Sequence, residues 1–272
     1  MPKVSVLMTN YNAGKFIWEA IESILRQTFR DFELIILDDG STDNSWNIIQ
    51  KYAKEDDRIR CHKNGKNIWI SATRNKLIDF SQWEFIAWLD SDDRAKKKRL
   101  ERQVFFLEEN PACWIVGSWI NIIDAQWKSI WVKKLPLTNE KIMKEFFFRS
   151  PLNHPSSMMR RECIKATGYY RKDLEPADDL DFLARISQRY MLANIPDILL
   201  EYRIHGENLS LIKQKQMIQK TLLIRKNMQK MGYKMWIMGK CAYYITWVMQ
   251  YLPSKFVLTI FNNSINFFSW KK

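Results

Sequence analysis

Asp90-Ser91-Asp92-Asp93 stands directly behind the apolar run Phe85-Ile86-Ala87-Trp88-Leu89, so three carboxylates crowd the point where a buried strand ends. Carboxylates this close raise one another's pKa. A hard divalent ion takes two or three of them as oxygen ligands and keeps them ionised, and the work such an ion does is to hold a phosphate. The other account is an acidic turn that caps the helix suggested by Lys96 to Glu109. A second cluster favours the ion. Asp38-Asp39-Gly40-Ser41-Thr42-Asp43 also follows an apolar run, Leu34-Ile35-Ile36-Leu37. In an open parallel sheet ligands sit beyond the carboxyl ends of the strands, so both clusters would face one site. Asp39 is suited to accept hydrogen bonds from a base or ribose. Gly40 and Ser41 let the chain turn sharply, and Asp43 reads as the cap of a helix starting near Asn44.

The elements that must position these acids alternate. Val4 to Met8 reads as a strand ending in the polar turn Thr9-Asn10-Tyr11-Asn12, followed by a helix over Lys15 to Gln27. A strand at Arg58 to His62, a helix through Ser71 to Phe80 and the strand 84–89 come next. This order predicts an α/β domain with a mainly parallel sheet flanked by helices, a Rossmann-like arrangement. Arg74, near a helix start that follows a strand end, is placed to touch a nucleotide. The run Lys96-Lys97-Lys98-Arg99 could help draw in a polyanionic nucleotide but reads better as a solvated helix face. A chain of 272 residues with 46% hydrophobic content supports one sizeable core plus an appendage. Met1 runs directly into the first strand, so no signal peptide is expected. Cys61, Cys113, Cys163 and Cys241 are isolated and lack ligand spacing, and they read as reduced thiols of a cytosolic protein. His62, on a strand, reads as structural.

Seven stretches together resemble the inverting family 2 glycosyltransferases, which have the nucleotide-diphospho-sugar-binding GT-A fold. They are Thr9-Asn10-Tyr11-Asn12, the stretch 38–43, Ala72-Thr73-Arg74-Asn75, the stretch 90–93, Asn153-His154-Pro155-Ser156, Asp178-Asp179-Leu180-Asp181 and Tyr202-Arg203-Ile204-His205. The resemblance covers roughly residues 3 to 210. It implies that Thr9, Tyr11, Asp39 and Arg74 hold the nucleobase, Asp90 the ribose or the metal, and Asp92 the metal. The cation would be Mn²⁺ or Mg²⁺, with His205 a further candidate to reach it or the diphosphate. His154 falls beside the acceptor site. The donor would be a UDP-, GDP- or dTDP-sugar, and the acceptor a saccharide or lipid-linked molecule of cell-surface polysaccharide or glycolipid synthesis. Transfer needs charge neutralised on the departing diphosphate and a proton removed from the acceptor hydroxyl, tasks for a Lewis-acidic ion and a carboxylate base. Asp179 matches the base. Asp178 stands where the family has glutamate, and it and Asp181 are acceptor-side candidates; Asp178, Asp179 and Asp181 all also fit the first turn of a helix over Phe182 to Arg189.

Glycine is scarce, 8 residues against 12 tryptophans. Trp69, Trp83, Trp127 and Trp131 stand where the family usually has glycine. Asp124 to Lys128 reads as a hairpin turn that wants a positive φ, where a bulky aromatic is strained. Either the source reads UGA as glycine, or the positions have diverged. Charge is uneven as well. Residues 208–272 carry 11 Lys and Arg and no Asp or Glu, and of the net charge of +13 this leaves +2 for residues 1–207. The expectation is a catalytic domain over 1–207 and an amphipathic helical tail over 208–272. That tail mixes a basic stretch, Lys213 to Lys234, with apolar ones, Met235 to Leu252 and Phe256 to Phe268. It suits an anionic membrane surface on the cytosolic side better than a membrane span; the other account is that its apolar faces pack on the catalytic domain or on a second subunit. A nucleic-acid-binding protein would share the basic tail, but its acidic clusters would repel phosphate. A sugar nucleotidyltransferase would share the fold class, but no glycine-rich N-terminal loop is present.

Overall fold

The apolar runs of the first ninety residues form strands because each is short, rich in β-branched residues and bounded by polar turns. The computed structural model describes residues 2–252; the apolar stretch Phe256 to Phe268 lies outside them. The first half runs β1 (Val4–Asn10), α1 (Ile17–Leu25), β2 (Phe32–Asp38), α2 (Ser45–Glu55), β3 (Ile59–Lys63), α3 (Ile70–Phe80) and β4 (Phe85–Trp88). Then come β5 (Arg94–Ala95), α4 (Arg99–Glu109), β6 (Cys113–Ile123), β7 (Ser129–Lys133), α5 (Asn139–Glu145), β8 (Met158–Arg160), α6 (Glu162–Thr167), α7 (Asp178–Ser187) and β9 (Met191–Arg203). Three helices close the described chain: α8 (Leu209–Ile212), α9 (Gln214–Lys230) and α10 (Ile237–Met249).

The sheet order is β3-β2-β1-β4-β8-β6-β9-β5, with β7 also on β6. Strands β3, β2, β1 and β4 are all parallel, as the alternation requires. Beyond β4 the sheet is mixed: β8 is antiparallel to both neighbours, while β6 and β9 run parallel. Alternation along each strand feeds two cores. Val6, Met8, Leu34 and Ile36 pack under α1 and α4; Leu7, Ile35, Ile86 and Trp88 pack under α3 and α7. The chain reverses its strand order between β1 and β4, the point where an open sheet has a crevice for a ligand.

Three expectations change here. The helix read from Lys96 begins at Arg99, because Arg94 and Ala95 pair antiparallel with Glu201 and Leu200 of β9. The acidic turn at 90–93 therefore caps no helix. Arg99 is also not on a solvated face: it is fully buried and donates to the carbonyls of Trp88 and Ser157. Finally, the first part of the tail is built into the core. Ile224 and Met228 of α9 are 1% and 0% exposed within the α3/α7 core, and the Tyr233 hydroxyl donates to the Ala184 carbonyl at 2.6 Å.

Two of the four tryptophans in question have positive φ. Trp69, just before α3, has φ 72° and ψ 159°, a region essentially confined to glycine. Trp127 has φ 70° in the β6–β7 hairpin, at the turn expected to need it. Trp83 and Trp131 are not among the positive-φ residues.

Candidate active site

Asp90, Asp92 and Asp93 lie beyond the end of β4 and can each offer one oxygen, these oxygens all within 4.8 Å of one another. Burial pushes the Asp90 carboxyl up to about 7; Arg74 works against this, while the charges of Asp92 and Asp179 add to it. Asp93 is raised well above the carboxylate range, by burial first and then by Asp92 and Asp90. Its Oδ1 accepts the Arg203 backbone N–H at 2.9 Å, and its buried Oδ2 has no partner. Mutual repulsion and an orphaned buried oxygen are what a divalent cation relieves, so these residues fit one.

The turn is held from β9. Arg203, wholly buried, donates through Nε to the Asp92 carbonyl at 2.8 Å and pairs with Glu19 of α1. Its guanidinium stacks between Phe16 and Trp127. Two residues on, His205 Nε2 meets Asp92 Oδ2 at 2.8 Å, and His205 Nδ1 lies 3.3 Å from the Glu207 N–H. With Nδ1 accepting the Glu207 N–H, Nε2 is the nitrogen that donates to Asp92.

At the end of β2 the acids divide their work. Asp38 ties the turn, accepting from the Ser41 N–H and from Asn10 Nδ2. Gly40 has φ +76°, and a Cβ there would lie 2.8 Å from the Lys66 carbonyl carbon, so no side chain fits. Asp39 is 4% exposed, and its Oδ1 accepts from Asn64 Nδ2 at 2.8 Å and from the Ile68 N–H at 3.0 Å. It braces the loop before α3. Asp43 caps α2 through the Ser45 N–H and also holds the Gly14 N–H. Thr9, at the end of β1, is half-buried, and Tyr11 is 50% exposed, so both face open space beside this turn.

The N-terminus of α7 lies across from these turns. Asp178 is fully buried and both its oxygens take Arg74 Nη1, at 3.0 and 3.1 Å. Arg74 is 7% exposed, so a buried ion pair occupies the position expected to touch the nucleotide. Asp179 is half-buried. Burial pushes its carboxyl up to about 6, Asp178 adds to the rise, and Arg74 opposes it. Asp181 is committed to Arg185 at 2.8 Å, which matches the helix-stabilising alternative for it. Behind Arg74 lies the Tyr170 ring, whose hydroxyl is 2.9 Å from His154 Nε2. His154 is buried against Trp88, and burial holds its ring well below the usual histidine range, hence neutral. His62 stacks on Phe80. The four cysteines are free.

Tyr170 and Lys133 escaped the sequence reading, and Arg203 stood there only within the stretch 202–205, with no role of its own. Lys133, at the end of β7, has no carboxylate within ion-pairing distance among the described residues. Burial and then Arg149 push its ammonium down to about 8, while Asp179 pulls it back up. Its partial burial follows from the β6–β7 hairpin, which an isolated lysine in the sequence does not announce.

Residues 5–168 match the profile of glycosyl transferase family 2. The chain belongs to that family. A Methanocaldococcus jannaschii glycosyltransferase is 36% identical over 222 residues, 79% of this chain and 76% of that protein. The Escherichia coli enzyme WfaP, named as a UDP-Glc:alpha-D-GlcNAc-diphosphoundecaprenol beta-1,3-glucosyltransferase, is 38% identical over 108 residues, 40% of this chain and 42% of that one. The Pyrobaculum calidifontis mannosyltransferase PcManGT, solved with GDP-Man and Mn²⁺, superposes with a TM-score of 0.66 at 15% identity, over 95% of this chain and 72% of that chain. This family 2 protein is a glycosyltransferase with the GT-A fold.

Proposed function

We propose that this family 2 glycosyltransferase moves a sugar from a nucleotide-diphospho-sugar to an acceptor hydroxyl with inversion at the anomeric carbon. The observation that carries the reading is the meeting of two carboxylate groups around Arg74. Asp90, Asp92 and Asp93 come from the end of β4, and Asp178 and Asp179 from the start of α7. Asp92 and Asp90 would hold Mn²⁺ or Mg²⁺, with His205 beside them; when bound, the cation supplies Lewis-acid stabilisation of the diphosphate. PcManGT, solved with GDP-Man and Mn²⁺, supports a donor and cation of this kind.

Asp179 acts as the base. It takes the proton of the acceptor hydroxyl as that oxygen attacks the anomeric carbon from the side opposite the diphosphate. The bond to the diphosphate oxygen breaks, and the electron pair leaves on that oxygen. A carboxyl held near 6 is ionised at neutral pH yet more basic than an ordinary aspartate, which suits proton abstraction. Asp178 acts by fixing Arg74, whose charge stays beside the two clusters. Thr9 and Tyr11 border the donor side, and the buried Asp39 shapes the loop that a base would lie against. His154, neutral and hydrogen-bonded to Tyr170, shapes the acceptor side. The name of the Escherichia coli relative supports a lipid-linked acceptor, presented at the cytosolic face of a membrane that the tail from residue 208 engages. The two acidic clusters would repel a nucleic-acid backbone, which speaks against nucleic acid as a partner of this site.

A thermal-shift screen of UDP-, GDP- and dTDP-sugars, with and without Mn²⁺, tests the donor assignment. One nucleotide class should stabilise the protein, and only when metal is present. Failure of every nucleotide sugar to shift the melt would count against the reading.

A further inference from the structure

Helix α10 wears its apolar residues on the outside. It buries only Gly239 and Ala242, and Gly239 sits so close to the turn after α5 that an added Cβ would lie 3.0 Å from Phe147 Cβ. Thr246, on the same inner side, accepts from Arg225 of α9. The opposite side presents Ile237, Met238, Tyr244, Ile245 and Val248, between 50% and 80% exposed, with Tyr251 following at 69%. Surface helices of globular proteins have the reverse pattern, and a contiguous exposed apolar face marks a contact surface.

The charge around this face names the partner. Residues 208–252 contain eight Lys and Arg and no Asp or Glu. Lys226, Lys230, Lys234 and Lys240 are exposed, and Lys144 of α5 stands over the Trp236 ring. Trp236 and Trp247, themselves 58% and 46% exposed, have the amphipathic rings that favour a headgroup boundary. A second copy of the chain would bring lysines against lysines with no acid from either helix to pair them. Nor does α10 cross a bilayer: among the described residues no helix is long and apolar enough, and 13 residues at a rise of ~1.5 Å each fall well short of ~30 Å of hydrocarbon.

We propose that the outer face of α10 seats in the headgroup region of an anionic lipid bilayer, with the lysines of α9 and α10 on the lipid phosphates. This deepens the membrane placement proposed above and rests on it, but it is independent of the transfer chemistry.

Co-sedimentation of the full chain with phosphatidylglycerol–phosphatidylcholine vesicles tests it, beside vesicles of phosphatidylcholine alone. The wild type should bind the anionic vesicles, less so as salt rises, and the zwitterionic ones weakly. The double variant Ile237→Glu/Ile245→Glu should lose at least ~10-fold in affinity, since seating even one large apolar side chain is worth about that factor. Lys234→Gln/Lys240→Gln should weaken binding to anionic vesicles alone. Both isoleucines are exposed, so the melting temperature without vesicles should not move. The proposal is overturned if the wild type fails to bind, or if the glutamates leave binding unchanged. A lowered melting temperature in the glutamate variant would overturn it by assigning the face to the chain's own residues 253–272. A dimer seen by light scattering and dissolved by the glutamates would assign it to a second copy. Donor hydrolysis in solution should be equal in all these proteins; its absence from the wild type would count against the transferase reading and leave the vesicle result standing.

Discussion

Asp178→Asn is the most informative single change, because it removes one charge and almost no volume. Arg74 is 7% exposed and reaches both oxygens of the fully buried Asp178 from one nitrogen. Breaking a buried pair by neutralising one partner costs roughly 3–5 kcal/mol, since the other charge stays desolvated. Arg74 retains the nearby charges of Asp90 and Asp179, so the lower end is expected, about 3 kcal/mol. For a chain of this size each kcal/mol moves the midpoint by about 2–4 °C, giving a fall of about 6–12 °C. Calorimetric melts of Asp178→Asn, Arg74→Met and the double variant measure it. The double variant should lose clearly less than the two single losses combined, because no buried cation is left unpaired. A second readout concerns Asp179, which the neighbouring Asp178 charge pushes up after burial. In Asp178→Asn the pH midpoint of transfer should move downward. Strict additivity, or a loss below about 1 kcal/mol, would refute the assignment of Asp178 as the charge partner of Arg74.

Asp92→Asn should abolish metal-dependent donor binding by removing a charged oxygen ligand; calorimetry that finds unchanged affinity with metal present rules Asp92 out. Asp179→Asn should keep donor affinity while lowering turnover by roughly 10²–10⁴. Near-normal turnover would point to another base. Because the folded Asp179 is held at about 6, above its ordinary value of 3.8, the wild-type rate should rise as pH climbs through that value and level off above it; a flat profile between acid and neutral pH contradicts the role. Trp69→Gly should raise stability by about 1 kcal/mol, as relief of a strained backbone exceeds the added freedom of the unfolded chain. Trp69→Ala should bring no such gain. A UGA codon in the gene at positions 69 and 127 would make both glycine in the source, and UGG would dismiss that reading.

What was legible in the sequence was local. Asp90 to Asp93 and Asp38 to Asp43 could be placed at strand ends because each apolar run and its acids are contiguous, and the alternation of the first ninety residues fixed the parallel half of the sheet. The misplaced start of α4 came from a partner a hundred residues away, the pairing of Arg94 with Glu201. Arg99 illustrates the same limit. Inside a run of four cations nothing marks the one that turns inward to carbonyls of β4 and of the loop before β8. Arg74 and Asp178 were each singled out, yet their pairing joins α3 to α7 across 104 positions, so the two were assigned to opposite sides of the site. The tail's composition announced a basic, apolar segment, but only packing reveals that α9 turns inward while α10 turns its apolar side out.

The central claim is metal-dependent transfer with inversion, and the sugar released by the full chain tests it most directly. Proton and phosphorus NMR would follow the donor found in the thermal-shift screen, with Mn²⁺ present and water or a supplied alcohol as acceptor. Expected is release of the nucleoside diphosphate with the sugar appearing first in the opposite anomeric configuration, stopped by a chelator and lost in both Asp92→Asn and Asp179→Asn. Retained configuration, or release indifferent to the chelator and to both substitutions, would contradict the proposed chemistry.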